Sequence, residues 1–587
     1  MKNIKNEEEK SASQPLMSRA FSRRLFFTSA AGTASSALLL QTGCSSLNAG
    51  KKTDVASYDC PTIITASDSL TADTISGKIR GYQSNGIHTF RGIPYAATTE
   101  GEGRFMPPAK PKSWTGIRPC MWYGPTCPQA WRTGWASDEQ SFLSQWNDGQ
   151  PGEDCLRVNV WTPGLSDGKK RPVLVWLHGG GWSAGSGQEQ PAYHGESLSR
   201  RGDVVVVTLN HRLNILGYMN LAAYGDKYAS SMNVGVLDLV AALEWVRDNI
   251  ANFGGDPGNV LIFGQSGGGG KVSTLTSMPM AKGLFHKAVV QSGSTLRLGD
   301  PELNAKLASA VVAELGLNKA SIDKIQTIPY ARLLEAQDAA LKKLQPNPPA
   351  GGIGMPTVRG AAARMSFSPV VDGKIVTRHP YDPDAPDVST DVPMMIGTTL
   401  NESSPSIFDS SVEGISEDEM RKRAEERYGS KAGMVADAYR KAYPDVKPVE
   451  LLSRMFSVRT NAVTQTERKA TKGGAPAYMY LFAWHTPVLD GRPRAFHCSE
   501  IPFVFYNTDV SAFSTGGGEE PRELAAKVSD AWLNFARKGD PNHSGLPNWP
   551  VYNAESGPVM VFDKICEVKN DPDRELRKVV AQALEPA

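Results

Sequence analysis

Cysteine and histidine are scarce in this 587-residue chain, which has only seven cysteines and nine histidines. They form no C-x-x-C pair and no closely spaced Cys/His cluster, the spacing that metal sites need. We therefore expect neither a metal ion nor another cofactor. Charge of either sign is also not in excess, since the formal net charge is +2 and no basic stripe occurs. Nucleic acid is therefore not an expected partner.

The N-terminus lacks a run long enough for a transmembrane helix. Its Ala/Leu-rich stretch has only about 15 mildly apolar residues, whereas a membrane-spanning helix needs about 20. This stretch follows Ser22-Arg-Arg-Leu-Phe-Phe27 and ends at Cys44. The pattern resembles a twin-arginine export signal. We therefore predict a signal at 1–44, a linker at 45–65 and a folded domain at 66–587.

Two kinds of processing fit the end of this signal. Gly43-Cys44 resembles a lipoprotein cleavage site, in which the cysteine is acylated and becomes the mature N-terminus. Such sites usually have Leu three residues before the cysteine, where this chain has Gln41. Ordinary cleavage further on, for instance near Asn48-Ala49-Gly50, is the alternative. The exported protein would be periplasmic or secreted, and membrane-anchored only if Cys44 is lipidated.

The rest of the chain has the composition of one large globular domain, with 40% hydrophobic and 21% charged residues. Six apolar runs indicate buried strands, and an amphipathic helix is predicted over Val236–Asn252. Strands that alternate with helices indicate an α/β fold with a mostly parallel sheet. The predicted strands are 172–177, 203–209, 259–263, 286–291, 392–396 and 476–484.

Two charged helical stretches interrupt this pattern after residue 300. We predict them as insertions at about 302–360, which ends in a Pro/Gly-rich segment, and at about 405–470. A helical cap over a functional site and simple surface decoration are both compatible with such segments.

A serine framed by glycines follows one predicted strand, in Gly264-Gln265-Ser266-Gly267-Gly268. In a nucleophile elbow, a strand turns so sharply into a helix that the serine hydroxyl is exposed above the sheet. The pattern G-x-S-x-G also occurs by chance, so its interpretation depends on a base, an acid and an oxyanion hole. Ser266 is the candidate nucleophile.

Three consecutive glycines follow the predicted strand 172–177, before Trp182. Preorganised backbone N–H groups stabilise the negative oxygen of a tetrahedral acyl intermediate, and each contributes about 3 kcal/mol. A turn that only ends a strand needs one glycine and not three. We predict that the N–H groups of Gly180, Gly181 and Gly267 form an oxyanion hole.

Together these motifs resemble the type-B carboxylesterases, the family that includes the cholinesterases, and the resemblance covers nearly the whole chain after about residue 70. It implies an α/β-hydrolase fold, in which helices flank a central, mostly parallel sheet and helical insertions cap the site. Further blocks that resemble the family are Phe90–Ala96, Gly103–Pro108, Tyr123–Gln129, Glu153–Asn159, Asn210–Leu213, Asn233–Asp238, Asn252–Pro257 and Ser529–Ala536.

The resemblance also implies the other members of a catalytic triad. The family's acid lies in a block like the one that ends at Glu402, and its histidine in a block like Phe-His-Cys-Ser-Glu around His497. The chain order Ser266, Glu402, His497 is the nucleophile, acid, base order of α/β-hydrolases. A solvated carboxylate and a structural histidine are the alternatives, and Glu500 is a second carboxylate close to the histidine.

These residues predict a serine hydrolase that cleaves small-molecule carboxylic esters through an acyl-enzyme on Ser266. Amidase or acyl-transferase activity on the same scaffold stays open. The family also contains neuroligin-like binding proteins without a triad, whereas this chain keeps all three residues. The sequence does not predict an oligomeric state.

Three residues bear on the ester that the site accepts. In cholinesterases a tryptophan of the first disulfide loop holds the quaternary ammonium, and Trp146 lies in the corresponding loop. Those enzymes have glutamate before the nucleophile, whereas Gln265 is uncharged. The resemblance therefore favours neutral short-chain or aromatic esters over choline esters. Trp146, Trp182 and Gln265 are the candidate residues of the substrate gorge.

The resemblance pairs Cys127 with Cys155 in a disulfide, which an oxidising compartment would preserve. The two residues are 28 positions apart, and closing such a loop would contribute about 3 kcal/mol. We expect Cys498, next to His497, to be a small buried hydrophobe rather than a second nucleophile. The cysteines for which the family offers no partner are Cys60, Cys120, Cys498 and Cys566.

Overall fold

A twelve-stranded β-sheet lies at the centre of the fold. The computed structural model describes residues 63–65, 67–130, 137–347 and 365–584. These residues belong to a compact unit that spans residues 61 to 587. The predicted export signal, Cys44, Cys60 and most of the linker 45–65 lie outside the described residues.

The strands are short at the edges of the sheet and longest in its middle. In chain order they are β1 (Ile63–Ile64), β2 (Thr71–Thr74), β3 (Gly77–Arg80), β4 (Tyr82–Ser84), β5 (Ile87–Pro94), β6 (Ile117–Pro119), β7 (Arg157–Thr162), β8 (Arg171–Leu177), β9 (Val205–Leu209), β10 (Gly255–Gln265), β11 (Lys287–Gln291), β12 (Met394–Thr399), β13 (Ala477–Phe482), β14 (Pro558–Phe562) and β15 (Glu567–Asn570).

The central strands of the large sheet run parallel, in the order β9-β8-β10-β11-β12-β13-β14. On one side β7, β5, β4 and β1 follow β9 with antiparallel pairing, and β15 closes the other side antiparallel to β14. Strands β2, β3 and β6 form a separate small sheet. The predicted α/β class with a mostly parallel sheet is therefore confirmed.

The buried apolar runs of the sequence are the central strands. Val204–Val207 and Val173–Val175 are fully buried, as expected for strands covered on both faces. All six predicted strands form. The predicted strand 259–263 is longer than expected, because its pairing with β8 resumes at Gly255 beyond a bulge.

Helices surround the sheet and fill the connections between its strands. They are α1 (Asp138–Ser144), α2 (Glu196–Gly202), α3 (Asn214–Tyr218), α4 (Val234–Asn249), α5 (Gly267–Leu275), α6 (Pro301–Glu314), α7 (Tyr330–Leu344), α8 (Pro405–Phe408), α9 (Glu417–Tyr428), α10 (Ala432–Ala442), α11 (Pro448–Met455), α12 (Arg459–Lys472), α13 (Ile501–Val504), α14 (Ala512–Thr515), α15 (Glu519–Lys538) and α16 (Arg574–Leu584).

Two apolar cores lie on opposite faces of the sheet, because successive side chains of a strand point to opposite sides. On β10, Val260 and Ile262 belong to the core that includes α4. Leu261 and Phe263 belong to the core that includes α15. Helices therefore cover both faces, as the predicted fold requires.

Helix α4 is the amphipathic helix predicted over Val236–Asn252, with different ends. It spans Val234–Asn249, and Ile250–Phe253 continue as a 3-10 helix that stops at Gly254, where φ is 69°. The segment Asp226–Phe253 is long and apolar enough to cross a membrane, but 72% of its most apolar window is buried inside the protein. This burial is typical of the core helix of a globular domain.

The two predicted insertions pack against different parts of the fold. Helices α6 and α7 of the first insertion bury Leu307 and Leu333 in a main core beside the sheet. Helices α9, α10 and α11 of the second form a separate apolar core with α16, which includes Met420, Leu451 and Val580. Residues 348–364, in the first insertion, lie outside the described part of the chain.

Candidate active site

Ser266 occupies a strained turn between β10 and α5. Its φ of 56° and ψ of −122° lie outside the regions that non-glycine residues usually adopt. The turn is held by hydrogen bonds from Ser266 N to Gln291 O (2.8 Å) and from Gly270 N to Ser266 O (3.1 Å). A Cβ on Gly268 would lie 1.9 Å from the carbonyl oxygen of Leu177, so this position requires glycine. These are the features of a nucleophile elbow.

The triple-glycine loop lies directly against this elbow. Strands β8 and β10 are paired with Leu177 opposite Gly264, so both motifs emerge at the same edge of the sheet. Gly180 and Gly181 have positive φ values of 78° and 62°. A Cβ on Gly267 would lie 2.4 Å from the backbone nitrogen of Gly181. The three glycines predicted to form the oxyanion hole are therefore neighbours in space.

Glu402 and His497 are brought together by the loops after β12 and β13. The backbone of the acid loop bonds to the histidine loop from Asn401 N to Ala495 O, at 3.0 Å. His497 Nδ1 then lies 2.5 Å from Glu402 Oε2. The other carboxylate oxygen, Oε1, accepts a hydrogen bond from Thr399 N at 2.9 Å. The carboxylate is thus fixed on both sides.

The protonation of His497 reflects these neighbours. Burial disfavours the imidazolium, but the sulfur of Cys498 and the carboxylate of Glu402 outweigh it and raise the pKa of His497 well above its usual range. The Cys498 thiol, whose pKa burial also raises, donates to Gln265 Oε1 at 3.1 Å. Because that thiol stays protonated near neutral pH, we attribute the raised pKa of His497 to Glu402.

A direct bond between Ser266 and His497 is not among the hydrogen bonds of the described residues. Catalytic hydrogen bonds of this kind are often long without substrate and shorten in the complex. The second carboxylate considered above, Glu500, accepts a hydrogen bond from Gln291 Nε2 at 3.3 Å. Burial raises the pKa of Glu500 to about 7. The carboxylate that is hydrogen-bonded to the histidine is that of Glu402.

Residues 68–577 of the chain match the carboxylesterase family. The chain belongs to this family. It is 35% identical over 509 residues to the para-nitrobenzyl esterase of Bacillus subtilis, and the aligned region covers 86% of this chain and 96% of that protein. It is 32% identical over 511 residues to the phenmedipham hydrolase of Pseudarthrobacter oxydans, covering 85% and 96%.

A solved structure gives the same result for the fold. An esterase from Clostridium hathewayi, which can hydrolyze aliphatic aromatic polyesters, is similar with a TM-score of 0.75 and 37% identity, covering 89% of this chain and 100% of that chain. The predicted α/β-hydrolase fold and the resemblance to carboxylesterases are confirmed. The protein is a carboxylic ester hydrolase that acts on small-molecule esters.

A cavity of about 140 Å³ lies beside His497 in this carboxylesterase. Its walls come from α1, from the start of the second insertion, from the histidine loop and from α14. The start of that insertion therefore reaches the site through Ile407 and Phe408, whereas α9 to α11 are not among the lining elements. The apolar lining consists mainly of Leu143, Ala192, Ile407, Phe408, Phe496 and Phe513.

The three candidate gorge residues lie in different surroundings. Gln265 is fully buried and its amide nitrogen is 3.3 Å from the ring of His497. Trp182 packs edge-on against Tyr218, with ring centroids 5.4 Å apart, just after the glycine loop. Trp146 is partly buried and donates its indole N–H to Asp148 at 2.7 Å. None of the three is among the residues that line the cavity beside His497.

Cys127 and Cys155 are adjacent, buried and present as free thiols. Their contact, together with burial, raises the pKa of Cys155 well above its usual range. The sulfur of Cys127 also accepts a hydrogen bond from Leu213 N at 3.2 Å. Cys120, Cys498 and Cys566 are free thiols as well. The disulfide between Cys127 and Cys155 stays a prediction.

Sequence reasoning missed one charged residue of this region, Lys271. It lies in α5, five residues after Ser266, and its side chain is completely buried. Its ammonium donates to the carbonyl oxygens of His178 (2.8 Å) and Gly181 (3.0 Å). A lysine in an otherwise uncharged elbow helix was the available signal, because a buried charge must find polar partners.

Proposed function

We propose that Ser266, His497 and Glu402 are the catalytic triad of an esterase for uncharged short-chain or aromatic carboxylic esters. The bond of 2.5 Å between His497 Nδ1 and Glu402 Oε2, beside the strained elbow of Ser266, carries this proposal. A carboxylate that accepts the Nδ1 proton leaves Nε2 as the acceptor that a general base needs.

The chemistry follows from these positions. His497 Nε2 takes the hydroxyl proton as Ser266 Oγ attacks the ester carbonyl carbon, and Glu402 stabilises the imidazolium. The carbonyl oxygen becomes an oxyanion, and the N–H groups of Gly180, Gly181 and Gly267 donate hydrogen bonds to it. The alcohol leaves with the proton from His497. Water, deprotonated by the same histidine, then hydrolyses the acyl-enzyme and releases the acid.

The surroundings of the triad support an uncharged substrate. Gln265 is neutral at the position before the nucleophile, and most of the surface of the cavity beside His497 is apolar. Phe408, a lining residue, is 56% exposed and extends this apolar surface to solvent. The names of the relatives point the same way, because one is a para-nitrobenzyl esterase. A choline ester is less favoured, because Gln265 offers no negative charge to a quaternary ammonium.

We also propose that the protein is exported by the twin-arginine signal, lipidated at Cys44 and oxidised at Cys127 and Cys155. The signal pattern at residues 22–27, the Gly43-Cys44 pair and the adjacency of the two thiols support this.

The triad is tested with Ser266→Ala and a panel of chromogenic esters. The variant should keep the melting temperature of the wild type and lose turnover of para-nitrophenyl acetate and benzoate. The wild type should prefer these neutral esters over a choline ester and an anilide with the same acyl group. Retained turnover in Ser266→Ala contradicts the triad, and a preference for the choline ester or the anilide contradicts the substrate class.

A further inference from the structure

The ammonium group of Lys271 lies beneath the glycine loop, out of contact with solvent. Its acceptors are three backbone carbonyl oxygens of one short segment: His178 (2.8 Å), Gly181 (3.0 Å) and Gly179 (3.4 Å). An ammonium has three N–H donors, so this set matches its hydrogen-bonding capacity. The indole of Trp182, with its ring centre 5.5 Å from Nζ, covers the group.

The direction of these bonds determines where the loop N–H groups point. In a trans peptide the C=O and the following N–H point in opposite directions. The Gly179 carbonyl is held by Lys271 and lies 2.9 Å from His178 Nδ1, so the Gly180 N–H faces away from that side. The Gly180 carbonyl accepts from Ala184 N at 3.0 Å, which turns the Gly181 N–H in the same way.

Glycine residues do not hold such a conformation by themselves. Gly180 and Gly181 have positive φ, and glycine explores both signs of φ freely. An unanchored loop would therefore populate peptides in which an N–H has turned away from the site. Lys271 supplies the anchor from a regular helix that begins at the nucleophile.

We propose that Lys271 is a positioning residue of the oxyanion hole: by holding the Gly179 carbonyl, it keeps the Gly180 N–H turned toward the developing oxyanion, and by holding the His178 and Gly181 carbonyls it fixes the loop in which Ala184 N orients the Gly181 N–H. This role rests on the oxyanion site proposed above. Lys271 does not touch the reacting atoms. It acts through the loop peptides, and its buried charge adds a positive potential behind them.

The charges around Lys271 fit this role. Burial lowers the pKa of Lys271 to about 7, and the nearby carboxylate of Glu189 counteracts this. Three carbonyl acceptors further favour the ammonium. Burial, followed by the charge of Lys271, holds the pKa values of His178 and His211 well below the usual range, so both imidazoles are neutral.

The test compares Lys271→Met and Lys271→Gln with the wild type. Methionine keeps the volume and removes the donors, so kcat should fall about 100-fold, as for loss of an oxyanion donor, while KM changes less than threefold. Glutamine retains an N–H donor and should restore part of kcat. In an aryl trifluoromethyl ketone, the carbonyl carbon is attacked by Ser266 Oγ and the carbonyl oxygen becomes an oxyanion. This inhibitor should bind about 100-fold more weakly to Lys271→Met. The corresponding carbinol, which forms no oxyanion, should bind equally well.

Lys469→Met is the matched control. Lys469 is also buried, and its ammonium donates to the carbonyls of Ser389 (3.1 Å) and Thr390 (2.8 Å), away from the glycine loop. This variant should lose thermal stability and keep kcat and both inhibitor affinities. A Lys271→Met enzyme with kcat within threefold of wild type, or with equal weakening of ketone and carbinol, overturns the proposal.

Two further measurements keep the outcome unambiguous. If Lys271→Met does not fold, a crystal structure of the wild type with the ketone decides: Lys271 must still bond to the loop carbonyls while Gly180 N and Gly181 N lie within hydrogen-bond distance of the oxyanion. A Gly180 or Gly181 N–H that points away from the oxyanion in that structure would overturn the proposed role of Lys271. Retained turnover in Ser266→Ala would instead overturn the proposed triad, whereas an inactive Ser266→Ala with a fully active Lys271→Met overturns the role of Lys271 alone.

Discussion

The side-chain amide of Gln265 lies 3.3 Å from each ring nitrogen of His497. Gln265 is the residue before the nucleophile and is completely buried, so its amide is a fixed neutral neighbour of the proposed base. A carboxylate in the same place would act on the imidazole at the same short distance. A charge at this position would therefore act directly on the protonation of the histidine.

Gln265→Glu should move the acidic limb of the pH profile of kcat/KM upward by about 1 pH unit. The new carboxylate favours the imidazolium and raises the pKa of His497 further, and the base must be neutral to act. Activity, which is lost as pH falls through this pKa, is therefore lost at a higher pH in the variant. Selectivity for a choline ester over a neutral ester should rise at the same time. An unchanged acidic limb would contradict this electrostatic link, and Gln582→Glu on the exposed face of α16 is the control.

Glu402→Gln should lower kcat by about 10³ to 10⁴ while the protein stays folded, because an amide cannot hold the imidazole in the required tautomer. The loss of the carboxylate also removes the main cause of the raised pKa of His497. The measurement is kcat with para-nitrophenyl acetate, together with the melting temperature. Glu425→Gln, at an exposed position of α9, should retain full activity. A Glu402→Gln enzyme within tenfold of wild type would exclude Glu402 as the triad acid.

The local parts of this site could be predicted from the sequence, and the tertiary parts could not. The apolar strand before Ser266 and the glycines around it are neighbours in the chain, so their pattern indicates the elbow. Glu402 and His497 were identified by family-like blocks and by their order. The burial of Lys271 under the glycine loop depends on how α5 packs on β8, which no local pattern reports.

The boundaries of the cavity illustrate the same limit. The insertion at about 405–470 was predicted as one segment, but only its first residues line the cavity, because α9 to α11 pack on the C-terminal helix α16. Trp146 is predicted as a gorge residue from its place in a loop, and this stays a prediction; its indole N–H bonds to Asp148. Side-chain direction in a loop depends on such contacts rather than on sequence spacing.

Gly268→Ala should disrupt the packing of the elbow helix. The added Cβ would lie 1.9 Å from Leu177 O and 3.0 Å from His178 O, so α5 and β8 must separate. Overpacking of this kind costs about 1–3 kcal/mol or more, and we expect a lower melting temperature together with loss of activity. Gly433→Ala, an exposed glycine of α10 with open space around its Cα, should be neutral. Full stability of Gly268→Ala would show that the elbow has room for a side chain.

Cys127 and Cys155 should be linked in protein isolated from the exported fraction. Their adjacency means that oxidation needs little backbone movement, and the linked loop of 28 residues would add about 3 kcal/mol to the free energy of unfolding. Alkylation without reduction, followed by peptide mass spectrometry, detects the bond. Reduction, or Cys127→Ser, should lower the melting temperature, whereas Cys566→Ser should not change the pairing. Two freely alkylated thiols in the native exported protein would exclude the disulfide.

The mature protein should begin at Cys44 and carry lipid there. Each buried methylene of an acyl chain contributes about 0.8 kcal/mol to membrane binding, so two or more chains suffice for a stable anchor without any transmembrane helix. Wild-type protein should therefore sediment with membranes and yield an acylated N-terminal peptide by mass spectrometry. Cys44→Ala should release active esterase into the soluble fraction, since the triad is far along the chain from the anchor.

Lysine substitution of both Arg23 and Arg24 should instead stop export and leave the precursor uncleaved. An unmodified N-terminus beyond residue 44, for instance near Ala49, would replace the lipid anchor by ordinary signal cleavage and leave the export prediction intact.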